Sequence, residues 1–115
     1  MLTEAQACTI LKRIFESRGF SIQENILFAE EEVSFTADGW DPAARVGYEF
    51  LSHEAGDHED LSPEEIRTLG TWIESGRVYF FIIDEKQVAD EAELAWAANA
   101  FLDEVARRRG NGAAT

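Results

Sequence analysis

The stretch TADGWDPAARVGYEFLS, residues 36–52, decides how the first half of the chain folds. Its middle, DGWDPAA, contains Asp-Gly and Asp-Pro, which are typical of turns. The segment RVGYEFL, residues 45–51, then has the alternating pattern of a β-strand. On this strand one face carries Val46, Tyr48 and Phe50, and the other carries Gly47, Glu49 and Leu51. A strand that should be buried therefore keeps one carboxylate, Glu49, whose role the fold must explain.

Two more strands are predicted before this turn. Residues 32–38, EVSFTAD, alternate cleanly, and Asp38 ends the segment on its polar face, together with Ser34 and Thr36. Residues 20–28, FSIQENILF, alternate less regularly and predict an earlier strand. Because short turns separate the three segments, we expect them to form an antiparallel meander.

Capping residues mark the helices. Two capping boxes are present, Thr3 with Gln6 and Ser62 with Glu65. Gly19 and Gly76 are natural helix ends. A third helix is predicted from about Asp90, where apolar residues recur at helical spacing. Its stripe consists of Leu94, Ala97, Ala98, Phe101, Leu102 and Val105.

The continuous apolar run VYFFII, residues 78–83, predicts a central strand that is covered on both faces. The element order is therefore α-β-β-β-α-β-α. The β-α-β step must be a right-handed crossover that returns parallel to the previous strand. The pattern predicts an α+β fold, a four-stranded mixed sheet flanked by helices. One globular domain is expected over residues 1–109, with a flexible tail over 110–115.

The charge balance restricts the partners of the chain. Its 115 residues include 23 acidic and 10 basic residues, for a net charge of −13. Such a surface repels the phosphate backbone of nucleic acids. It favours divalent cations or a basic protein partner. The sequence shows neither a signal peptide nor an apolar run of membrane-spanning length, so we expect a soluble acidic domain of bacterial type, located in the cytoplasm and not in a membrane.

The single cysteine, Cys8, lies within the helical apolar pattern of the first helix. We interpret it as a small buried hydrophobic residue rather than a nucleophile. An isolated cysteine also indicates a reducing compartment.

The element order, with Asp38 in TADG and Glu49 in GYEFL, resembles the PD-(D/E)XK nuclease-like superfamily, which has the restriction-endonuclease-like fold. The resemblance extends over residues 3–84. It implies that Asp38, Glu49 and the backbone carbonyl of Phe50 hold Mg²⁺ or Mn²⁺ through oxygen ligands. It also implies an accessory role for a glutamate of the first helix, here Glu16.

The sequence departs from that family at one decisive position. The family places a lysine two residues after the glutamate, and here that residue is Leu51. An apolar side chain cannot orient water, so the basic group would have to come from elsewhere, for example from Arg67. A simpler interpretation also remains open: Asp38 forms a turn, and Glu49 faces solvent.

Three functions follow from these patterns. The first is a non-catalytic binding or regulatory protein of inhibitor or immunity type, whose acidic face meets a basic partner. Its predicted contact residues are Trp40, Glu54, Asp57, Glu59 and Asp60. The second is a metal-dependent nuclease or phosphodiesterase that uses Asp38 and Glu49. The third is a structural domain that dimerises through its first strand, by way of Ile22, Ile26 and Phe28.

Overall fold

The computed structural model describes residues 2–52 and 61–113, with only the backbone for the last three of these. The elements follow the predicted order. They are α1 (Glu4–Ser17), β1 (Gln23–Glu30), β2 (Val33–Asp41), β3 (Val46–Leu51), α2 (Pro63–Ser75), β4 (Tyr79–Asp84), a 3₁₀ turn (Glu85–Gln87) and α3 (Glu91–Ala113). Within the described ranges, none of the helices combines the length and apolar character that a membrane span requires.

The four strands form one mixed sheet in the order β1-β2-β3-β4. The first three pair antiparallel, and β4 returns parallel to β3 after α2. The α+β fold and the mixed sheet are thus confirmed. The apolar strand β4 has mostly buried side chains, as predicted, but it lies at the edge of the described sheet rather than at its centre. Burial by helices therefore explains its apolar sequence, without a strand on each side.

The helices cover the sheet from two sides and create two cores. One core packs α1 and α3 on one face, around Phe15, Tyr48 and Leu102. The other packs α2 on the opposite face, around Trp40 and Phe80. Aromatic contacts dominate the second core: the rings of Trp40 and Phe80 stack at 4.8 Å between centroids.

Both predicted capping boxes are present. The Thr3 and Ser62 side chains accept hydrogen bonds from the Gln6 and Glu65 backbone N–H groups. Gly76 ends α2 in the left-handed conformation, with φ of 80°. These local signals fix the helix starts because each satisfies backbone donors that a helix leaves unpaired.

The turn between β2 and β3 lies later than predicted. Residues 39–41, predicted as turn, belong to β2, and the turn follows Asp41. The Asp41 carboxylate makes this turn by accepting hydrogen bonds from the backbone N–H groups of Ser21, Ala43 and Ala44. The first strand is also shifted, since it covers Gln23–Glu30 rather than 20–28.

The C-terminal helix continues beyond its predicted end. It reaches Ala113, so residues 110–113 are helical where a tail was expected. Its arginines form hydrogen bonds with neighbouring elements. The Arg108 guanidinium donates to the backbone carbonyls of Ile73 and Glu74. Those carbonyls belong to the last turn of α2, where no N–H group four residues further along the helix donates to them.

The dimer hypothesis needs a correction at the residue level. Strand β1 is an edge strand, as that hypothesis requires. However, Ile22 and Phe28 are buried in the two cores, and the exposed large apolar residue of β1 is Leu27, at 65%. Association through β1 stays a prediction, and it would use Leu27 rather than Ile22 or Phe28.

Candidate functional site

The sheet forks between β2 and β3. These strands pair only from Gly39–Tyr48 to Asp41–Val46. Beyond Tyr48, β3 stays paired with β4 up to Leu51, while the first half of β2 pairs with β1. Separating two strands in this way removes backbone partners, and buried backbone donors require replacements.

Asp38 and Glu49, the pair that the sequence predicts, lie in this fork. Glu49 Oε1 accepts the Asp38 backbone N–H at 3.0 Å, and Asp38 Oδ2 accepts the Phe50 backbone N–H at 2.8 Å. Each carboxylate therefore accepts a backbone N–H group of the opposite strand: Glu49 of β3 from β2, and Asp38 of β2 from β3. Both residues are buried, with exposures of 7% for Asp38 and 2% for Glu49. The simpler interpretation of a solvent-facing Glu49 is wrong.

Burial governs the protonation of Asp38. Loss of solvent raises the pKa of this carboxyl, and the hydrogen bond from Phe50 offsets only part of the effect. Burial therefore favours the neutral, protonated form of Asp38, and the charged form is favourable only where a cation compensates for it.

Helix α1 adds two residues that the sequence interpretation missed. Potential ligand atoms of Glu4, Cys8 and Asp38 all lie within 4.8 Å of one another. Glu4 and Cys8 are four residues apart, so both point from one face of the helix towards β2. Their i, i+4 spacing is the signal that the sequence offers, although Cys8 by itself also fits the apolar pattern of α1. Cys8 is half-buried.

The thiol has an acidic environment. Burial raises the pKa of Cys8, and the nearby carboxylates of Asp38, Glu4 and Glu49 raise it further. One turn later on α1, Lys12 pairs with Glu24 of β1 at 3.2 Å. An open cleft of about 370 Å³ leads to the group, and its lining includes Glu4, Cys8 and Asp38.

The two accessory residues predicted from the family pattern lie elsewhere. Glu16 is exposed, three turns further along α1 than Glu4, so Glu4 is the α1 glutamate beside Asp38. Arg67 is exposed on α2, which packs on the face opposite α1. The structure does not bring either residue to the described group.

Leu51, which departs from the nuclease-like pattern, lies at the end of β3. Leu51 is the half-buried last residue of β3, opposite Asp84 of β4. Phe50 contributes its N–H group to the fork, and its carbonyl as a metal ligand stays a prediction.

The predicted contact residues divide into two groups. Trp40 is only 5% exposed and belongs to the core under α2, so its prediction as a surface contact is wrong. The reason is that β2 extends through Trp40, where the sequence predicted a turn. The acidic residues Glu54, Asp57, Glu59 and Asp60 lie outside the described residues.

The resemblance to the nuclease-like superfamily rests on the element order and on the Asp38–Glu49 pair, and Leu51 departs from it. The whole chain was compared with protein-family models, curated proteins and solved structures. None of these comparisons found a match.

Proposed function

We propose that this chain is a non-catalytic binding domain, of inhibitor or immunity type, that meets a basic protein partner. The observation that carries the proposal is the use of the buried carboxylates. Asp38 and Glu49 accept backbone N–H groups across the fork, where they hold two separating strands together. A nuclease-like fold that has lost catalysis accounts for a carboxylate pair of this kind.

The surroundings of the fork support the absence of catalysis. Leu51 occupies the position of the family's lysine, and Lys12 is paired with Glu24. Metal-dependent phosphate chemistry needs a positioned water and groups that stabilise developing negative charge. The described site offers mainly acidic side chains, which would repel a phosphate substrate.

Charge supports a basic partner. Several basic residues are neutralised within the fold: Arg13 contacts Glu91, Arg18 contacts Asp103, and Arg45 and Arg77 contact Glu30. With a net charge of −13, the remaining surface is strongly acidic. Complementary charge on a partner would accelerate association and suppress binding of acidic competitors.

An exposed tryptophan marks the contact surface that fits this partner best. Trp96 of α3 is 76% exposed. It borders an open groove between α3 and the edge strand β4, lined also by Ile83, Val88 and Glu93. Tryptophan is enriched among residues that dominate binding energy. The groove suits an apolar side chain of the partner, with a lysine or arginine beside it to meet Glu93.

Direct binding of a defined basic probe tests the proposal. The probe is a fluorescent peptide rich in arginine and leucine, and its anisotropy is measured at low and at physiological salt. We expect saturable binding that weakens with salt, and a loss of about tenfold in affinity for Trp96→Ala.

Matched controls separate the surface from general charge effects. Leu27→Ala removes another exposed apolar side chain, on the far edge of the sheet, and should leave the affinity unchanged. An acidic peptide with the same leucines should not bind. Equal binding of both peptides, or no binding of the basic one, would contradict the proposed function. If Trp96→Ala and Leu27→Ala lower the affinity for the basic peptide equally, the Trp96 groove is not the contact surface, but the proposed function still stands.

The second candidate is a metal-dependent nuclease or phosphodiesterase. The observation in its favour is that the fold brings Asp38 and Glu49 together. Glu49→Gln keeps an oxygen to accept the Asp38 N–H group and removes the charge, so it tests chemistry without removing the hydrogen bond. If the chain is a nuclease, the wild type cleaves plasmid or single-stranded DNA with Mg²⁺ or Mn²⁺, and Glu49→Gln does not. We expect neither protein to cleave.

A further inference from the structure

Three side chains able to carry negative charge converge where α1 crosses β2. Glu4 and Cys8 come from successive turns of α1, and Asp38 comes from the forked part of β2. Their potential ligand atoms lie within 4.8 Å of one another. A sulfur atom among carboxylate oxygens distinguishes this group from the all-oxygen site that the family resemblance implies.

A buried hydroxyl beside the group provides a second, independent observation. Tyr48 is 0% exposed, and its hydroxyl is the one fully buried side-chain polar atom of the described residues with no hydrogen-bond partner. Its ring lies across Gly39, directly after Asp38. A Cβ atom at Gly39 would lie 2.6 Å from the Tyr48 hydroxyl oxygen, so this oxygen sits against the residue that follows Asp38. Buried polar groups normally have partners, so this one indicates a missing ligand or water.

We propose that Glu4, Cys8 and Asp38 bind a transition-metal dication of Zn²⁺ type, with a water at the fourth position facing the Tyr48 hydroxyl. Thiolate sulfur selects such ions over Mg²⁺, which prefers oxygen ligands. With bonds of about 2.0–2.3 Å in a tetrahedral site, ligand atoms lie about 3.3–3.8 Å apart. The ligand atoms of the described group, all within 4.8 Å of one another, would have to move together by about 1 Å to reach this spacing.

The site is accessible and its proton balance is simple. The cleft lined by Glu4, Cys8 and Asp38 gives an ion a route from solvent. On binding, the Cys8 S–H bond breaks, a metal–sulfur bond forms, and the proton leaves to solvent. The dication also compensates for the buried Asp38 carboxylate. The Asp38 hydrogen bond with Phe50 need not break, because the carboxylate has a second oxygen.

Co²⁺ is the best probe, because thiolate ligation adds a near-ultraviolet charge-transfer band to its visible d–d bands. The full chain is titrated with Co²⁺ under a phosphine reductant, and Zn²⁺ is then added to displace the cobalt. We expect a thiolate–cobalt band at one equivalent, its loss on Zn²⁺ addition, and its absence in Cys8→Ser. Glu4→Gln should weaken binding at least about tenfold.

Matched variants keep the test decisive. Glu16→Gln removes an exposed glutamate of the same helix and should leave the band and affinity unchanged. Asp38→Asn keeps an acceptor for the Phe50 N–H and should weaken Co²⁺ binding. This variant provides the test if circular dichroism shows that Cys8→Ser does not fold. A folded wild type without the band, or a band that persists in Cys8→Ser, would overturn the proposal. The outcome is independent of peptide binding, which reports on the Trp96 surface.

Discussion

Asp38 and Glu49 show why a carboxylate can be retained inside a sheet. Each accepts a backbone N–H group that strand separation would otherwise leave without a partner. Leaving such a donor unsatisfied costs about 1–3 kcal/mol. The two residues therefore have a structural role that does not depend on a metal, and the contribution of Asp38 to stability depends on its protonation.

The protonation of Asp38 leads to a prediction for stability against pH. Because burial raises its pKa in the folded state, its contribution is most favourable below the unfolded value of about 3.9. That contribution is lost as pH rises through the folded pKa. Asp38→Asn does not titrate, so we expect the variant to gain stability relative to wild type as pH rises from about 3.5 towards neutrality.

Urea unfolding of both proteins across this pH range provides the measurement. The difference between the two free energies of unfolding cancels the titration of carboxyls that do not interact with Asp38, including Glu30 and Glu65, whose lowered pKa values act in the opposite direction. A difference that is constant with pH, or that moves in favour of the wild type, would show that the Asp38 pKa is not raised.

At the scale of elements, the fork depends on close packing between β2 and β3. Gly39 lies under the Tyr48 ring, and a Cβ atom at this position would come within 2.2 Å of Tyr48 Cζ. Contacts below 3.0 Å force a shift in the neighbour, and Tyr48 is fully buried. The position therefore needs glycine because of space, not because of an unusual backbone angle.

We expect Gly39→Ala to lower the free energy of unfolding by about 1–3 kcal/mol, as overpacking does in other cores. Gly70 of α2 is the control, because a Cβ there meets nothing within 4 Å. Gly70→Ala should raise stability by about 0.5–1 kcal/mol through helix propensity. Chemical denaturation of the two variants measures both effects. Equal stability of Gly39→Ala and wild type would mean that Tyr48 moves freely.

The same elements show how far sequence reasoning reaches. Caps and periodicity predict α1 and α2, because these signals act within a few residues. The ends of β2 are not predictable in this way, since Asp-Gly at residues 38–39 is a turn signal that packing against Tyr48 overrides. The pairing of Asp38 with Glu49 follows from strand order. The placement of Cys8 depends on how α1 crosses the sheet, which no local pattern specifies.

At the scale of the whole molecule, charge has two opposing effects. A net charge of −13 on a chain with a radius of gyration of 13.7 Å produces self-repulsion in the compact state. Ion pairs such as Arg18–Asp103 work against it, but they are exposed and contribute little individually. Repulsion should therefore dominate the response of stability to salt.

The final prediction is that sodium chloride stabilises the protein. Raising the salt from about 20 mM to about 0.5 M shortens the screening length to a few Å, which weakens repulsion between distant carboxylates more than contacts within ion pairs. We expect the melting temperature to rise by several degrees. A variant with Glu54→Gln, Asp57→Asn, Glu59→Gln and Asp60→Asn carries four fewer charges and should gain less from the same salt. A melting temperature that falls with salt would mean that the ion pairs, such as Arg45–Glu30, outweigh the excess negative charge.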